Sequence, residues 1–225
     1  MLKGISIAID GPAAAGKSTI AKRIAQKLQY TYIDTGAMYR ALTHKAIRSD
    51  IDMGSDKELA DLLLDTEILL IPDEGGQAVW VDGIDCSEAI RSQQVTGAVS
   101  LVASHPTVRK MMVEKQRALA NESGVVMDGR DIGTEVLPHA DLKIFMTASV
   151  DERAERRFQE NERRGIHSSL ESLKEDIERR DRADSEREVS PLKKAEDAIL
   201  VDTTSMSIDD VVDKVIELAE KRMER

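Results

Sequence analysis

The sequence predicts an α/β fold, a mainly parallel β-sheet flanked by helices. Short apolar runs rich in β-branched residues alternate along the chain with longer segments whose apolar residues recur at helical spacing. Runs of the first kind are typical of parallel strands that are buried on both faces. The length of 225 residues is enough for one such core with a small addition, and the sequence contains no internal repeat and no low-complexity tract.

The amino-terminal part begins with a predicted strand at residues 5–9, an apolar run that ends at Asp-Gly-Pro. A helix follows at residues 17–28, because its isoleucines and leucine recur on one face. Residues 32–34 are predicted as a short second strand, and a helix that continues through Ala46 comes directly after it. The chain therefore opens as strand, helix, strand, helix.

The middle of the chain is richer in short strands and turns. The predicted elements are, in order, a helix at residues 58–64, a strand at 67–71, a turn at Asp73-Glu74-Gly75-Gly76 and a strand at 78–82 that ends at Gly83. We interpret residues 65–95 as a small strand-containing insert. Residues 1–64 and 96–225 then form the main core.

The carboxyl-terminal half returns to alternating helices and strands. The predicted elements are helices within residues 92–121 interrupted at His105-Pro106, strands at 125–128 and 142–146, a long charged helix from Ser149, a strand at 198–202 and a final helix from Ile208. Ser149 and Glu152 have the spacing of a capping box, which is typical of a helix start. The charged stretch at residues 151–194 has the pattern of a solvated helical face with ion pairs.

The composition excludes several classes of protein. Acidic residues number 42 against 32 lysines and arginines, the formal net charge is -10, and aromatic residues make up 3%. Phosphate neutralisation and base stacking drive nucleic-acid binding, so this chain is a poor candidate for it. No apolar run approaches the ~20 residues of a membrane span, the first residues lack the apolar core of a signal peptide, and the single cysteine, Cys86, excludes an internal disulfide. We expect a cytoplasmic protein with no nucleic-acid or membrane partner.

The strongest motif is a phosphate-binding loop. Residues 11–18 read Gly-Pro-Ala-Ala-Ala-Gly-Lys-Ser and match G-x-x-x-x-G-K-[ST] at every defined position, between a predicted strand and a predicted helix. In such a loop the glycines let backbone N–H groups face phosphate oxygens, and the helix N-terminus adds partial positive charge. Lys17 reaches the β- and γ-phosphates, and the Ser18 hydroxyl ligates Mg²⁺. The motif predicts a site for a nucleoside triphosphate.

The rest of the sequence favours phosphoryl transfer over hydrolysis. The guanine-reading tetrapeptide Asn-Lys-x-Asp of GTPases is absent, and Asp128 is followed by glycine rather than by the second acid of many motor ATPases. Because this hydrolytic machinery is missing, transfer to a bound acceptor is the better interpretation. Asp128 is a candidate to orient Mg²⁺ through water.

Arginines in several segments indicate a site for a second anion. Thr35 opens a helix with Arg40 one turn inside it, which suits a monophosphate but also fits a capped helix with a surface arginine. Arg130 and Asp131 follow a strand at the edge where α/β sheets bind ligands. The four arginines within residues 179–187 suit either helical ion pairs or bidentate phosphate recognition. Further arginines lie on the charged helix, where a mobile lid could close: Arg153, Arg156, Arg157, Arg163 and Arg164.

The sequence resembles the bacterial cytidylate kinases, or CMP kinases, of the nucleoside monophosphate kinase group. The resemblance rests on Ile-Asp-Gly-Pro-Ala-Ala-Ala-Gly-Lys-Ser-Thr at residues 9–19, Asp-Thr-Gly-Ala-Met-Tyr-Arg at 34–40, Asp-Gly-Arg-Asp-Ile-Gly-Thr at 128–134, and Arg180, Asp184, Arg187 and Pro191-Leu192. It covers essentially the whole chain. It implies a P-loop kinase fold in which residues 65–95 belong to the monophosphate-binding domain and residues of about 153–168 form a helical lid. Many relatives carry Ser at position 35 and Gly at position 18, and both differences keep or add a hydroxyl here.

The resemblance implies a role for each matched position. ATP is the donor, and its phosphates are held by Gly11, Pro12, Ala13, Ala14, Ala15, Gly16, Lys17, Ser18 and Thr19, with Mg²⁺ on Ser18. CMP or dCMP is the acceptor, and its phosphate and surroundings are held by Thr35, Arg40, Arg109 and Arg130. Its cytosine edge is read by Ser100 and Asp131, its sugar is contacted by Arg180 and Asp184, and its phosphate region by Arg187. The catalytic residues implied are Lys17, Arg130, Arg157, Arg180 and Arg187. We expect a monomer.

Two other interpretations stay open at this point. The chain could be another small-acceptor P-loop kinase of the adenylate, thymidylate or shikimate type. It could also be a nucleotide-sensing module that transfers nothing. The arginine set argues against a sensor, because a sensor has no need to gather arginines around a second anion.

Overall fold

The computed structural model describes residues 4–73, 76–120 and 124–224. In chain order, its strands and helices are β1 (Ser6–Asp10), α1 (Lys17–Leu28), β2 (Thr31–Asp34), α2 (Thr35–Arg48), α3 (Asp56–Leu64), β3 (Ile68–Ile71), β4 (Ala78–Val81), β5 (Ile84–Asp85), α4 (Gln93–Val102), α5 (Pro106–Leu119), β6 (Val125–Gly129), β7 (Leu142–Thr147), α6 (Val150–Arg163), α7 (Leu170–Ser185), β8 (Ile199–Asp202) and α8 (Ile208–Met223). A 3₁₀ turn at Ala89–Arg91 and a π-helical turn at Ile132–Val136 accompany them.

β1 is the central strand of a five-stranded sheet in the order β2-β6-β1-β7-β8. Every pair of neighbouring strands in this sheet is parallel, which confirms the predicted α/β fold. Asp10, the last residue of β1, lies opposite Gly129 on β6 and Phe145 on β7. The carboxyl ends of β1, β2 and β6 therefore meet at one edge of the sheet, where ligands bind in folds of this kind.

Helices cover both faces of the sheet. Ile7 and Ile9 of β1 pack with α1 and α8 on one face, in a cluster that includes the buried Val211 and Val215. Ala8 lies between them and faces the other side, where it packs with residues of β6 and the π-helical turn. Successive side chains of a strand point to opposite faces, so a strand covered on both sides must be apolar throughout. This is why the largely apolar run at residues 5–9 predicted a buried parallel strand, which β1 confirms.

A separate antiparallel sheet in the order β3-β4-β5 lies within the segment predicted as an insert. Val79 and Val81 of β4 share one buried cluster with Ala37 and Ala41 of α2, so the small sheet packs on the helix that follows β2. β5 has 2 residues and the 3₁₀ turn has 3, too few to show a periodic pattern, and the sequence did not predict them. The boundaries at residues 65 and 95 stay a prediction.

α6 and α7 form a packed helical pair, with Ala154 of α6 and Leu173 and Ile177 of α7 in one buried cluster. At the start of α6, the Ser149 hydroxyl accepts the N–H of Glu152, as predicted. The second half of the predicted capping box is wrong, because the Ser149 N–H donates to Thr204 and the Glu152 carboxylate accepts from Arg156. A complete capping box begins α8 instead, where Ser207 and Asp210 bond reciprocally.

A few predicted features lie outside the described residues. Glu74 and Gly75 of the predicted turn are among them, and so is Asn121 at the predicted end of the second of the two helices around His105-Pro106. On either side of the first gap, the carbonyl oxygen of Asp73 accepts the N–H of Gly76 at 3.0 Å. Within the described ranges, every helix is too short or too polar to cross a membrane.

Candidate active site

A cleft of about 360 Å³ opens at the carboxyl edge of the parallel sheet. The loop between β1 and α1 forms one wall, and residues of α2, α4, α5, α7 and the segment after β6 form the opposite one. Arg157 of α6 and Arg164 at its end also line the cleft. Its position is the one that the parallel order of the sheet predicts for a ligand site.

The loop between β1 and α1 has the backbone geometry of a phosphate cradle. Gly11 has φ 148° and passes so close to the carbonyl oxygen of Met146 that a Cβ would collide with it. Gly16, at the N-cap of α1, has φ 88°, and Ala14 has φ 58°, a region that L-residues rarely occupy. Because Gly16 carries no capping side chain, the first N–H groups of α1 are left for a ligand.

Lys17 reaches back over the loop from the first turn of α1. Its Nζ donates to the carbonyl oxygen of Pro12 at 2.7 Å, and the residue is 5% exposed. Burial, and next the neighbouring Arg130, lower the pKa of the Lys17 ammonium to about 7, while Asp128 and Asp10 oppose that shift. An anion of high charge density at this point would favour the protonated form.

The Ser18 hydroxyl lies beside a buried carboxylate at the end of β6. Ser18 Oγ donates to Asp128 Oδ2 at 2.9 Å, and the Tyr32 hydroxyl donates to Asp128 Oδ1 at 2.8 Å. Burial and the nearby Asp34 raise the pKa of the Asp128 carboxyl to about 6. A hydroxyl and a carboxylate are hard oxygen donors of the kind that Mg²⁺ prefers, so the donor set at this end of the loop fits that cation.

A buried aspartate holds two arginines on the opposite wall of the cleft. Asp184 of α7 accepts from Nε of Arg130 at 2.8 Å and from Nη2 of Arg187 at 2.7 Å. Burial alone would raise the pKa of the Asp184 carboxyl, but Arg130 and Arg187 outweigh it and hold that pKa below its usual value. The carboxylate is therefore ionised at neutral pH and fixes both guanidinium groups.

Several guanidinium groups in the cleft have donors left over. Among the described residues, the buried Nε atoms of Arg40, Arg109, Arg180 and Arg187 have no hydrogen-bond acceptor. Burial, and next repulsion from Arg130, lower the pKa of the Arg180 guanidinium to about 10. Buried donors without acceptors are rare in folded proteins. Their concentration here indicates that the cleft is built to receive an anion.

Arg109 and Asp131 form a buried ion pair at the inner end of the cleft. The Arg109 guanidinium is 2% exposed, also donates to the carbonyl oxygen of Ala103 at 3.0 Å, and lies 5.5 Å from the centroid of the Tyr39 ring. Ser100 of α4 lines the same end of the cleft. Polar groups held this firmly by their neighbours are suited to reading the edge of a base.

Comparison with known proteins identifies the family. The family model described as cytidylate kinase matches residues 7–221, nearly the whole chain. The chain belongs to the cytidylate kinase family. A cytidylate kinase of Anoxybacillus flavithermus is 60% identical over 100% of both chains, and one of Bacillus subtilis is 55% identical over 99% of both.

Solved structures support the fold of this family member. A gluconokinase from Sinorhizobium meliloti superposes with a TM-score of 0.50 and 16% identity, covering 98% of this chain and 94% of its own. Identity at this level carries information on the fold alone. The resemblance noted from the sequence motifs is thus confirmed by the family match.

The cleft of this cytidylate kinase family member brings together nearly all the predicted site residues. Those that line it are Ala13, Ala14, Ala15, Gly16, Lys17, Ser18, Thr19, Thr35, Arg40, Ser100, Arg109, Arg130, Asp131, Arg157, Arg180, Asp184 and Arg187. Gly11 and Pro12 begin the loop without lining the cleft: Gly11 lies against the carbonyl oxygen of Met146, and the carbonyl oxygen of Pro12 accepts from Lys17. The Thr35 hydroxyl donates to the carbonyl oxygen of Asp128 at 2.7 Å, which ties the start of α2 to the end of β6.

The five candidate lid arginines do not all reach this cleft. Arg157 and Arg164 line the cleft, whereas Arg153 is buried beneath it. Arg153 donates to the carbonyl oxygens of Ala13 and Ala148 at 3.1 and 3.0 Å and pairs with Asp181 at 2.7 Å. It therefore joins the phosphate loop to α6 and α7 instead of projecting towards a ligand.

Sequence reasoning missed a second cleft of about 460 Å³ on the other side of the phosphate loop. It shares Ala14, Ala15, Gly16 and Thr19 of the loop with the first cleft, together with Arg157 and Glu160 of α6. Its other lining residues come from α1, β7, α6, α8 and the segment between β8 and α8. Arg156 donates there to the Oγ1 and carbonyl oxygen of Thr203 at 3.0 and 2.7 Å. No motif marks Thr203, because only the pairing of β7 with β8 brings it to the loop.

Asp34 was also missed as a member of the site. It caps α2 by accepting the N–H of Ala37 at 2.8 Å, and it accepts from Nη2 of Arg40 at 2.9 Å. Burial would raise the pKa of its carboxyl, but Arg40, the Ala37 N–H and Arg91 together lower it. An aspartate immediately before a predicted helix was the signal that could have found it.

Proposed function

We propose that this protein catalyses the ATP-dependent phosphorylation of CMP and dCMP to CDP and dCDP. The observation that carries the proposal is the pairing of a phosphate loop with a wall of buried arginines whose donors lack acceptors. A triphosphate on the loop and a monophosphate on the arginines would place two phosphates in one cleft. Membership of the cytidylate kinase family, with relatives of that name at 55–60% identity, supports the same reaction.

On the donor side, we assign residues 11–19 to the ATP phosphates. The helix N-terminus and loop N–H groups would hold the β-phosphate, and Lys17 would move from the Pro12 carbonyl onto the β- and γ-phosphates. The second cleft shares the loop with the first, so it is the place for the adenosine, with Arg156 and Thr203 beside it. This assignment puts the γ-phosphate at the junction of the two clefts.

Mg²⁺ would be held by Ser18, with Asp128 behind it. The described residues contain no cluster of three or more His, Cys, Asp or Glu that could hold a metal ion alone. The cation suits such a site, because Mg²⁺ in kinases takes one or two protein oxygens together with substrate phosphates and waters. When bound, it supplies neutralisation of charge on the β- and γ-phosphates.

On the acceptor side, the predicted site residues are assigned to different parts of the nucleotide. We assign the acceptor phosphate and its surroundings to Thr35, Arg40, Arg109 and Arg130, the sugar to Arg180 and Asp184, and the phosphate region to Arg187. The cytosine edge falls to Ser100 and Asp131, whose acceptors suit the exocyclic amine that separates CMP from UMP. Asp184 holds Arg130 and Arg187 in place before substrate arrives, so little reorganisation is needed on binding.

The chemistry follows from this placement. An oxygen of the CMP phosphate attacks the γ-phosphorus of ATP, one P–O bond forms as the bond to the β-phosphate oxygen breaks, and ADP leaves with the electron pair. The attacking oxygen is already anionic near neutral pH, so no strong general base is required. Lys17, Arg130, Arg157, Arg180 and Arg187 hold two polyanions in line and neutralise charge on the transferring group. Closure of the helical lid at residues of about 153–168 would exclude water from the cleft.

A coupled assay of ADP release across a panel of acceptors tests the proposal. With ATP as donor, we expect the highest kcat/KM for CMP and dCMP, a lower value for UMP, and background rates for AMP and shikimate. A faster reaction with AMP or shikimate would contradict the assignment of Ser100 and Asp131. Tight ATP binding without CMP-dependent ADP release would favour a nucleotide sensor.

We further propose a cytoplasmic monomer that has no nucleic-acid or membrane partner. The net charge of -10 supports this, because a subset of the lysines and arginines lines the cleft and acids outnumber bases over the rest of the chain. Sedimentation of the purified protein, alone and with DNA or lipid vesicles, tests it. A dimer, or co-sedimentation with either ligand, would contradict it.

A further inference from the structure

Asp10 is a buried carboxylate that the proposed mechanism does not use. It is the last residue of β1, it is 5% exposed, and the phosphate loop begins at the next residue. Its Oδ1 accepts the N–H of Ile132 at 2.8 Å, and its Oδ2 accepts the N–H of Gly133 at 2.7 Å. Burial raises the pKa of the Asp10 carboxyl to about 6, while these two N–H groups lower it. At neutral pH the carboxylate is therefore held mainly by the backbone of another segment.

The segment that it holds leads directly from the acceptor side of the cleft. Ile132 and Gly133 begin the π-helical turn that follows Arg130 and Asp131. The carbonyl oxygen of Asp131 accepts the N–H groups of Glu135 and Val136, which closes the turn on its other side. The carbonyl oxygen of Asp131 is thus held within the turn, and the next two residues are held by Asp10.

The sheet alone does not fix this segment. The ladder between β1 and β6 ends at the pair Asp10 and Gly129, so the chain from Arg130 onwards has left the sheet. Beyond that pair, the next hydrogen bonds between the two segments are the two that the Asp10 carboxylate accepts from Ile132 and Gly133. Gly133 lies so close that a Cβ there would be 3.3 Å from Oδ2 of Asp10 and 3.1 Å from Cδ of Lys143. The turn therefore has little room to move while the carboxylate holds it.

We propose that Asp10 is a positioning residue that sets acceptor selectivity by holding Asp131 in register with the phosphate loop. Its backbone leads into the loop that takes the donor, and its side chain holds the first two residues of the turn that follows Arg130 and Asp131. One residue thus fixes the distance between the two halves of the cleft. The inference rests on the proposed function, because selectivity is measured between acceptors that Asp131 is proposed to distinguish.

Asp10→Asn tests the proposal with little change of volume. The amide keeps one acceptor but turns an NH₂ group towards the second backbone N–H, so one of the two bonds is lost. Loss of a hydrogen bond to a charged group corresponds to about tenfold or more, and we expect a fall of that size in kcat/KM for CMP. Because the turn begins at the residue after Asp131, we expect the ratio of kcat/KM for CMP over UMP to fall by about fivefold. The Asp10 carboxylate also interacts with Lys17, so the Kd of ATP is measured without acceptor, and the ratio between the two acceptors, in which an effect on the donor cancels, decides the test.

Asp141→Asn is the matched control. Oδ2 of Asp141 accepts the N–H and hydroxyl of Ser6 at 2.8 Å each, so the same chemistry holds the amino end of the same strand. This variant should lose stability without changing the ratio of CMP to UMP. Asp10→Asn with an unchanged ratio, or with equal losses for CMP, UMP and ATP, would overturn the proposal.

Gly133→Ala provides a second test that leaves the carboxylate intact. Its added Cβ presses on the side chain of Lys143 and on Asp10, which should move the turn and lower the same ratio by a smaller factor. It decides the matter if Asp10→Asn does not fold, since an unchanged ratio in Gly133→Ala would contradict the proposal. If the wild-type protein phosphorylates neither CMP nor dCMP, the proposed function fails. Asp10 is then judged by the ratio between the two acceptors that the wild type uses best.

Discussion

The phosphate loop occupies the consecutive residues 11–19 between β1 and α1, whereas the opposite wall of the cleft takes side chains from α2, α4, α5, α7 and the turn after β6. The loop works mainly through its own backbone, which the glycines at positions 11 and 16 shape. The opposite wall, called the acceptor wall below, works through side chains that hold one another, as Asp184 holds Arg130 and Arg187. In the proposed function, consecutive residues therefore recognise the donor, and residues that only the tertiary structure brings together recognise the acceptor.

The two walls also differ in their electrostatics. The loop contributes one buried ammonium, that of Lys17, which contacts a carbonyl oxygen in the free protein. The acceptor wall contributes several guanidinium groups, and four buried Nε atoms among the described residues have no acceptor. Binding of an anion should consequently change the free energy of the acceptor wall more than that of the loop. Each prediction below substitutes one residue of one wall.

Lys17→Ala should produce the largest loss. Removing the only side-chain charge of the loop takes away stabilisation of the transferring phosphoryl group, and we expect kcat/KM to fall by about 10²–10³-fold. Steady-state assays with ATP and CMP measure it. Lys27→Ala, on the same helix, is the control, because Lys27 is exposed and pairs with Asp213. Near-wild-type turnover by Lys17→Ala would remove the loop from the mechanism.

Arg180→Ala should produce the next largest loss, from the other wall. We expect kcat/KM for CMP to fall by well over tenfold, equivalent to more than about 1.4 kcal/mol, because this guanidinium lines the cleft and its buried Nε has no acceptor there. Arg179→Ala is the matched control, since the neighbouring Arg179 is exposed and pairs with Asp176. Equal effects of the two substitutions would mean that the acceptor wall acts by net charge and not by geometry.

The contrast between the walls explains what the sequence could predict. Residues 11–18 carry their function in consecutive positions, so a motif was sufficient to find them. Arg130 and Asp131 were marked by their place after a strand, and Arg180 by the arginine cluster at residues 179–187, while the role of each and the choice of Asp184 came from the family resemblance. The pairing of Arg130 with Asp184 was not predicted, since it depends on packing between segments 54 positions apart in the chain.

Elements held by tertiary contacts were the ones missed. The π-helical turn at Ile132–Val136 has no periodic pattern and is fixed by the carboxylate of Asp10, far away in sequence. Arg153 has the same local surroundings as the other arginines of α6, yet it is buried against the carbonyl oxygen of Ala13. A charged residue on a helix does not reveal from its sequence whether it faces a ligand or supports a loop.

Asp184→Asn should separate the walls with a smaller effect. The amide keeps the volume but removes the charge that holds Arg130 and Arg187 together, so the two guanidinium groups should shift. We expect KM for CMP to rise by about tenfold while KM for ATP changes little. Asp176→Asn, on the exposed face of α7, serves as the control. A parallel rise in both KM values would show that Asp184 supports the whole cleft and not the acceptor wall alone.

Arg180→Met should give the smallest change and the sharpest test of the electrostatic contrast. The pKa of the Arg180 guanidinium is lowered to about 10 in the folded protein. The charged form therefore lowers the free energy of unfolding at every pH below about 10, and this effect declines as the pH rises above that value. Methionine keeps much of the apolar stem but removes the charge, so we expect the melting temperature without ligand to rise by about 2–4 °C at neutral pH. Saturating CMP should stabilise the wild type by about 2.7 kcal/mol at 100 times Kd and the variant by clearly less at the same concentration. Thermal unfolding with and without CMP measures both, with Arg179→Met as the control. A lower melting temperature together with an undiminished response to CMP would mean that the acceptor wall carries no unfavourable charge for an anion to relieve.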